Sequence, residues 1–166
     1  MRNILILGGG GMVGQKLAHS LSNAPLAPGD RVTICDLHLP ENGAPVAEEV
    51  RATVTNPGVI KRLVAQKPDL IYYLAAIVSG EAEENFDLGW SVNMAAFSMS
   101  LDTIRAEVIA AKGDYRPRIV FTSSIAVFGG PFPEKIGDTF LSAPQTSYGA
   151  QKAISELMLA DHIRKV

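Results

Sequence analysis

Apolar runs and helical repeats alternate along this chain. Residues Asn3 to Leu7 carry Ile4, Leu5, Ile6 and Leu7 without a polar break, and glycines stop the run abruptly. That is the pattern of a strand buried on both faces. From Met12 the spacing turns helical, with Val13, Leu17 and Leu21 on one face before Pro25 and Pro28 end the segment. A second strand is expected over Arg31 to Cys35, stopping at Asp36. Leu37 to Ala47, interrupted by Pro40, Gly43 and Pro45, reads as loop or broken helix. A weak strand is expected over Glu49 to Val54. Asn56-Pro57 then marks a helix start, with Val59, Ile60, Leu63 and Val64 as its buried face.

The second half repeats the alternation. Asp69 to Ala75 contains the apolar run Leu70 to Leu74 and predicts a fourth strand. Val92, Ala96, Met99, Thr103 and Ala106 recur at helical spacing and predict a long helix from about 92 to 111. Arg118 to Thr122 predicts a fifth strand behind Pro117. Gly129 to Thr146 is rich in glycine and proline, and Ser147 to Arg164 is helical in pattern. Buried parallel strands with helical crossovers make this order self-consistent, so the fold class is α/β, a Rossmann-type doubly wound sheet. A complete dinucleotide fold has a sixth strand after the fifth helix, and this chain stops at Val166. The expectation is a single cofactor-binding domain over 1–166, incomplete, with a carboxyl-terminal substrate-binding portion absent.

Composition narrows the function classes. Fifteen lysines and arginines stand against 17 acidic residues, and no arginine cluster is present, so nucleic acid is not an expected partner. The first apolar run ends at Gly8, too short for a signal peptide or a membrane span, which leads to the expectation of a cytoplasmic protein that does not engage a membrane. The single cysteine, Cys35, lies in an apolar run and reads as a quiet buried thiol. His19 and His162 fall in helices without a Cys, Asp or Glu set at ligand spacing, so no metal site is expected.

Two groups carry chemistry. Gly8, Gly11 and Gly14 stand at GxxGxxG spacing between a strand and a helix. The first allows a tight turn, the second the approach of a pyrophosphate to the backbone, and the third close packing of helix on strand. Free N–H groups at the helix start would meet the phosphates. Gly9 and Gly10 are read as softening the loop. Asp36, about 20 residues beyond the loop, is placed to accept hydrogen bonds from an adenosine ribose and to repel a 2′-phosphate, which favours NAD over NADP; a solvated turn aspartate is the plain alternative.

The second group is Tyr148 and Lys152. Residues four apart share a helical face, so phenol and ammonium can point into one cleft. An unassisted phenol, with a pKa of about 10, is mostly protonated near neutral pH, and a neighbouring cation favours the phenolate needed for a base. Hydroxyls follow the fifth strand at Thr122, Ser123 and Ser124. Ser124 is the best placed to hydrogen-bond a reacting oxygen, while Thr122 and Ser123 read better as strand-end closure.

GGGGMVG at Gly8 to Gly14, Asp36, LAA at Leu74 to Ala76, VN at Val92-Asn93, FTSSIAVFG at Phe121 to Gly129 and YGAQK at Tyr148 to Lys152 together resemble the extended short-chain dehydrogenase/reductase family, also called the NAD-dependent epimerase/dehydratase family. The resemblance covers nearly the whole chain and implies Ser124, Tyr148 and Lys152 as catalytic residues. It implies NAD held by Gly8, Gly11, Met12, Val13, Gly14, Asp36, Leu74, Ala75, Ala76, Asn93, Tyr148 and Lys152, with Asn93 supporting the backbone of the active site. Three positions depart from the family pattern: Thr53 stands where relatives often carry an aspartate beside adenine, Leu7 where many carry threonine, and Met12 where they often carry an aromatic, the last two bearing on packing more than chemistry. Within the family the wording is most similar to sugar-acid dehydrogenases, which implies oxidation of the 2-hydroxyl of a short sugar acid such as D-erythronate, with Ser79, Ser124 and Tyr148 facing the substrate. Nucleotide-sugar epimerases and dehydratases share nearly all these residues, and a non-catalytic NAD-binding regulator is a third reading. The acidic stretch Gly80 to Gly89 reads as a loop bordering a substrate entrance or as a solvated loop, and 131–146 as a lid or a static wall. Homodimerisation through the helices at about 92–111 and 147–164 is implied by the resemblance; the same apolar stripes can instead pack on the sheet.

Overall fold

The computed structural model describes residues 1–165 and divides them into two compact units, one of residues 1–75 and 99–122, the other of residues 76–98 and 123–165. The first holds every strand. β1 (Asn3–Leu7), β2 (Arg31–Asp36), β3 (Glu48–Arg51), β4 (Leu70–Tyr73) and β5 (Arg118–Phe121) pair in parallel in the order β3-β2-β1-β4-β5. This is the doubly wound Rossmann-type arrangement, and the winding reverses between β1 and β4. Leu7 is in register with Cys35 on one side and Tyr73 on the other, so Gly8, Asp36 and Leu74 leave the sheet at one level, at the carboxyl ends of their strands.

The pleat sorts the core. Ile4, Ile6, Val32, Ile34 and Leu70 cluster with Ala18 and Leu21 of α1 (Met12–Asn23) and with Leu39 and Ala44 from the segment after β2. Leu5, Leu7, Cys35, Ile71 and Tyr73, on the opposite face by alternation, are also buried. Each fully buried Ile or Leu contributes about 1.5–3 kcal/mol, so the sheet rather than helix propensity holds the short helices in place. α2 (Pro57–Val64) starts as its sequence predicts: Asn56 Oδ1 accepts from the Gly58 and Val59 N–H groups, and Ile60, Leu63 and Val64 are buried. Cys35 is fully enclosed and burial pushes its thiol up to about 11, which makes it inert near neutral pH.

Several expectations shift. In α1, Gly14, Ala18 and Leu21 are buried and Leu17 packs against the same core, whereas Val13 in the first turn is 53% exposed. The third strand ends at Arg51 because Thr53 and Thr55 close a turn, their hydroxyls 2.8 Å apart. β4 stops at Tyr73, where Leu74 N–H and Ala75 N–H both donate to the Leu7 carbonyl at 2.8 and 2.9 Å and the regular ladder cannot continue.

The second unit is helical. α3 (Ser79–Glu84) and α4 (Phe86–Gly89) occupy the stretch read as an acidic loop, and a π-helical turn at Trp90–Ala95 leads into α5 (Ala96–Ala110), which continues into the first unit. Helices of under two turns leave no periodicity to read, and the Asn85 side chain, accepting from Leu88 N–H at 3.0 Å, restarts the helix between them. A 3₁₀ turn at Ile125–Val127 and α6 (Ser147–Lys165) complete the unit. The 129–146 segment folds back on the end of that 3₁₀ turn and on itself: the Phe140 ring lies 5.7 Å from that of Phe128 and 6.5 Å from that of Phe132, and Ala143 N–H donates to the Val127 carbonyl. Among the described residues, no helix is long and apolar enough to cross a membrane.

Candidate functional site

In the first unit, the glycine loop is shaped by contacts that leave no room for side chains. Gly8 has φ +89°, and a Cβ there would fall 2.4 Å from the Ala75 nitrogen; one on Gly14 would fall 2.4 Å from the Gly8 oxygen. Gly9 and Gly10 do not soften the loop. A Cβ on Gly9 would lie 2.5 Å from the Ile34 Cβ, and one on Gly10 only 1.9 Å from the His38 oxygen, so each is a packing requirement. Gly11 is different. It has φ −70°, is exposed, and a Cβ on it would meet nothing nearer than the Gly8 oxygen at 3.8 Å.

Gly11 is also the N-cap of α1, which has no side-chain cap and no acidic residue in its first turn. Unpaired N–H groups and the positive end of the helix dipole therefore face outward beside a glycine the protein itself does not need. Met12 and Val13 in that turn are 72% and 53% exposed. Asp36 Oδ2 accepts from Gly10 N–H at 2.9 Å and Oδ1 from His38 N–H at 3.0 Å. Gln15, which carried no expectation, ties the same region together: its Nε2 donates to the Gly9 carbonyl at 2.8 Å and its Oε1 accepts from Ala44 N–H at 2.9 Å. Its position directly after the third glycine was the available signal.

The second unit assembles the polar residues. Ser124 caps the 3₁₀ turn, its Oγ accepting from Ala126 N–H at 3.2 Å, which leaves the hydroxyl hydrogen to donate elsewhere. Tyr148 is half-buried in the first turn of α6. Lys152 is 2% exposed, with Nζ 5.7 Å from the centroid of the Tyr148 ring, and burial pushes its ammonium down to about 8. Gly149 lets α6 approach the 3₁₀ turn, since a Cβ there would strike the Ala126 oxygen at 2.2 Å. Glu83 of α3 accepts from Ser147 N–H at the start of α6, a capping role for one of the acidic residues. Ser79 begins α3 and is exposed.

Asn93 lies in the π turn and is 2% exposed; its amide bonds both polar groups of the Ile77 backbone, and its Nδ2 also donates to Gln151 Oε1 at 2.7 Å. Its side chain thus supports the segment that follows Ala76. Gln151, inside YGAQK, was not singled out by sequence; it sits in phase with the buried Lys152 and Ser155, which was the readable signal. Among the described residues, no group of three or more His, Cys, Asp or Glu could hold a metal ion.

Comparison with known proteins completes the picture. Residues 4–166 match the model of the NAD dependent epimerase/dehydratase family. The chain belongs to that family. Among curated members of the NAD dependent epimerase/dehydratase family and their relatives, it is 38% identical over 173 aligned residues to D-erythronate dehydrogenase of Cupriavidus necator, covering 98% of this chain and 51% of that protein. It is 35% identical to D-erythronate dehydrogenase of Haemophilus influenzae, over 98% of this chain and 50% of that protein. The chain thus spans about half the length of the curated relatives it matches. In structure it is similar to the nucleoside-diphosphate-sugar epimerase from Agrobacterium tumefaciens, with a TM-score of 0.87 and 45% identity over 99% of this chain and 49% of that one.

Proposed function

We propose that this chain is the cofactor-binding portion of an NAD-dependent dehydrogenase that oxidises the 2-hydroxyl of a short sugar acid such as D-erythronate. The observation that carries the cofactor half of this reading is Gly11: open space at its Cβ position and an uncapped helix start beside it fit a group that approaches the backbone from outside and brings negative charge. Met12, Val13 and Gly14 at the helix start, together with Gly8, Leu74, Ala75 and Ala76, would border the dinucleotide, with Asp36 accepting from the adenosine ribose. NAD, when bound, supplies the hydride acceptor.

The protein's own part is proton handling and alignment. Tyr148 takes the proton of the substrate hydroxyl at its phenolic oxygen. Lys152, held beside the ring, stabilises the negative charge the phenol must carry. Ser124 directs its free hydroxyl hydrogen to the reacting oxygen and stabilises charge developing there. Asn93 acts through the Ile77 backbone. Ser79, exposed at the start of α3, is available to a substrate hydroxyl or carboxylate. The positive partner for an anionic substrate is assigned to the other half of the protein, since the relatives named dehydrogenases are about twice as long.

A second reading has its own support. The Agrobacterium structure, at 45% identity, carries the name of a nucleoside-diphosphate-sugar epimerase. The two reactions share a first step and differ in whether reduced cofactor leaves. Full-length protein incubated with NAD and a panel of four-carbon sugar acids and nucleotide sugars separates them. Free NADH accumulating with a 2-hydroxy sugar acid supports the dehydrogenase, and an isomerised nucleotide sugar without net NADH overturns it.

A further inference from the structure

Gln151 takes no part in the chemistry proposed above, yet it is fully enclosed. The orientation of its amide is forced by neighbours. Ile77 N–H donates to Asn93 Oδ1 at 2.8 Å, which fixes that atom as oxygen and the other as nitrogen. Asn93 Nδ2 then gives one hydrogen to the Ile77 carbonyl at 3.0 Å and the other to Gln151, which must present its oxygen and does so at 2.7 Å. Its Nε2 is turned the opposite way, toward Gly89, where a Cβ would lie 2.8 Å from it, and finds no hydrogen-bond partner.

Burying an amide N–H without a partner is costly, and a leucine of similar volume would avoid the cost. The carbonyl is therefore what this position needs. Two further features converge on it. The π turn at Trp90–Ala95 starts directly after Gly89, and its wider turn alters the helical phase that brings Asn93 to Ile77 and Gln151 together. One turn along α6, Ser155 Oγ is 3.2 Å from the Asn93 carbonyl and 2.9 Å from the Gln151 carbonyl, a second tie between the same elements.

We propose that Gln151 is a positioning residue: through Asn93 it locks the Ile77 backbone to the turn of α6 that bears Tyr148 and Lys152. The catalytic consequence rests on the dehydrogenase reading, whereas the lock itself does not. In the full-length protein, Gln151→Leu removes the acceptor and Gln151→Glu keeps one. Amide exchange at Ile77 should accelerate about tenfold in the leucine variant and return toward wild type in the glutamate variant. kcat should fall about tenfold in Gln151→Leu with KM for NAD within about twofold, and recover in Gln151→Glu. If Gln151→Leu does not fold, Gln151→Asn, one methylene too short to reach Asn93, carries the same comparison.

Wild-type exchange at Ile77 in the leucine or asparagine variant, or a glutamate variant no closer to wild type than the leucine one, overturns the lock. Faster exchange with unchanged kcat overturns its bearing on catalysis. If the wild-type protein turns over no member of the substrate panel, the dehydrogenase reading fails while the exchange measurement still decides the role of Gln151.

Discussion

The glycine loop of the first unit and the start of α6 in the second are built by opposite means. Around Gly8 to Gly14 the shape comes from missing side chains: backbone atoms fill the space a Cβ would take at Gly8, Gly10 and Gly14, the Ile34 side chain fills it at Gly9, and only Gly11 is open. Around Tyr148 it comes from polar side chains taken out of water: Asn93, Gln151, Lys152 and Ser155 are all at most 2% exposed. A site made of backbone fails when something is added; a site made of buried polar groups fails when a partner is removed. The two regions should therefore answer different mutations with different losses.

The largest loss is expected at α6. Tyr148→Phe should lower kcat by about 10²–10⁴ with NAD affinity nearly unchanged, measured by turnover alongside calorimetric titration of the cofactor. Retained turnover would leave the second region without its proton acceptor and the contrast without its chemistry. Next comes a paired test on the loop. Gly14→Ala places a methyl 2.4 Å from the Gly8 oxygen, an unyielding backbone atom, and should destabilise the fold by about 2–4 kcal/mol in denaturant titrations. Gly11→Ala should leave stability within about 0.5 kcal/mol while weakening NAD about tenfold, because its methyl meets ligand rather than protein. Equal stability losses in the two would remove the distinction between packing and ligand-facing glycines.

Smaller effects sharpen the picture. Asp36→Ala should shift the ratio of kcat/KM for NAD over NADP toward NADP by about tenfold or more, read from initial rates with the two cofactors. Lys152→Met should stabilise the protein by about 1–2 kcal/mol at pH 7 while removing activity, since it replaces a buried cation with an apolar chain of similar volume. The sign follows from the direction of the shift. The lysine in the fold sits at about 8, below its ordinary 10.5, so the cost of holding its proton is fully present below pH 8. Wild-type stability then rises between about pH 8 and 10.5 as the folded form sheds that proton first, and the advantage of methionine should fade across that window. An advantage independent of pH would point to packing rather than charge.

What was legible in the sequence follows the same divide. The five strands, their class and the placement of Gly8 and Asp36 at strand ends could be read because apolar runs and their stops are local, whereas the end of β4 at Tyr73 is set by hydrogen bonds to Leu7 of a neighbouring strand. Leu17 and Leu21 of α1 meet the core while Val13 in the first turn stays exposed, because helical spacing reveals a shared face but not how far along it the core reaches. The Asn93–Gln151 bond joins residues 58 apart in a part of the chain where a π turn breaks the helical phase, so no periodicity connects them. Gly9 and Gly10 looked like softness because their contacts, with Ile34 and His38, come from β2 and the residues after it.

Asp36 carries one more consequence. Both of its oxygens are held by main-chain N–H groups, and each retains lone-pair capacity for a hydroxyl donor. Freezing this carboxylate is part of folding, not of ligand capture, so a sugar ring would dock against an acceptor whose rotamer freedom has already been spent. Under the proposed reading, adenosine recognition on such a preorganised oxygen pair would proceed with little reordering.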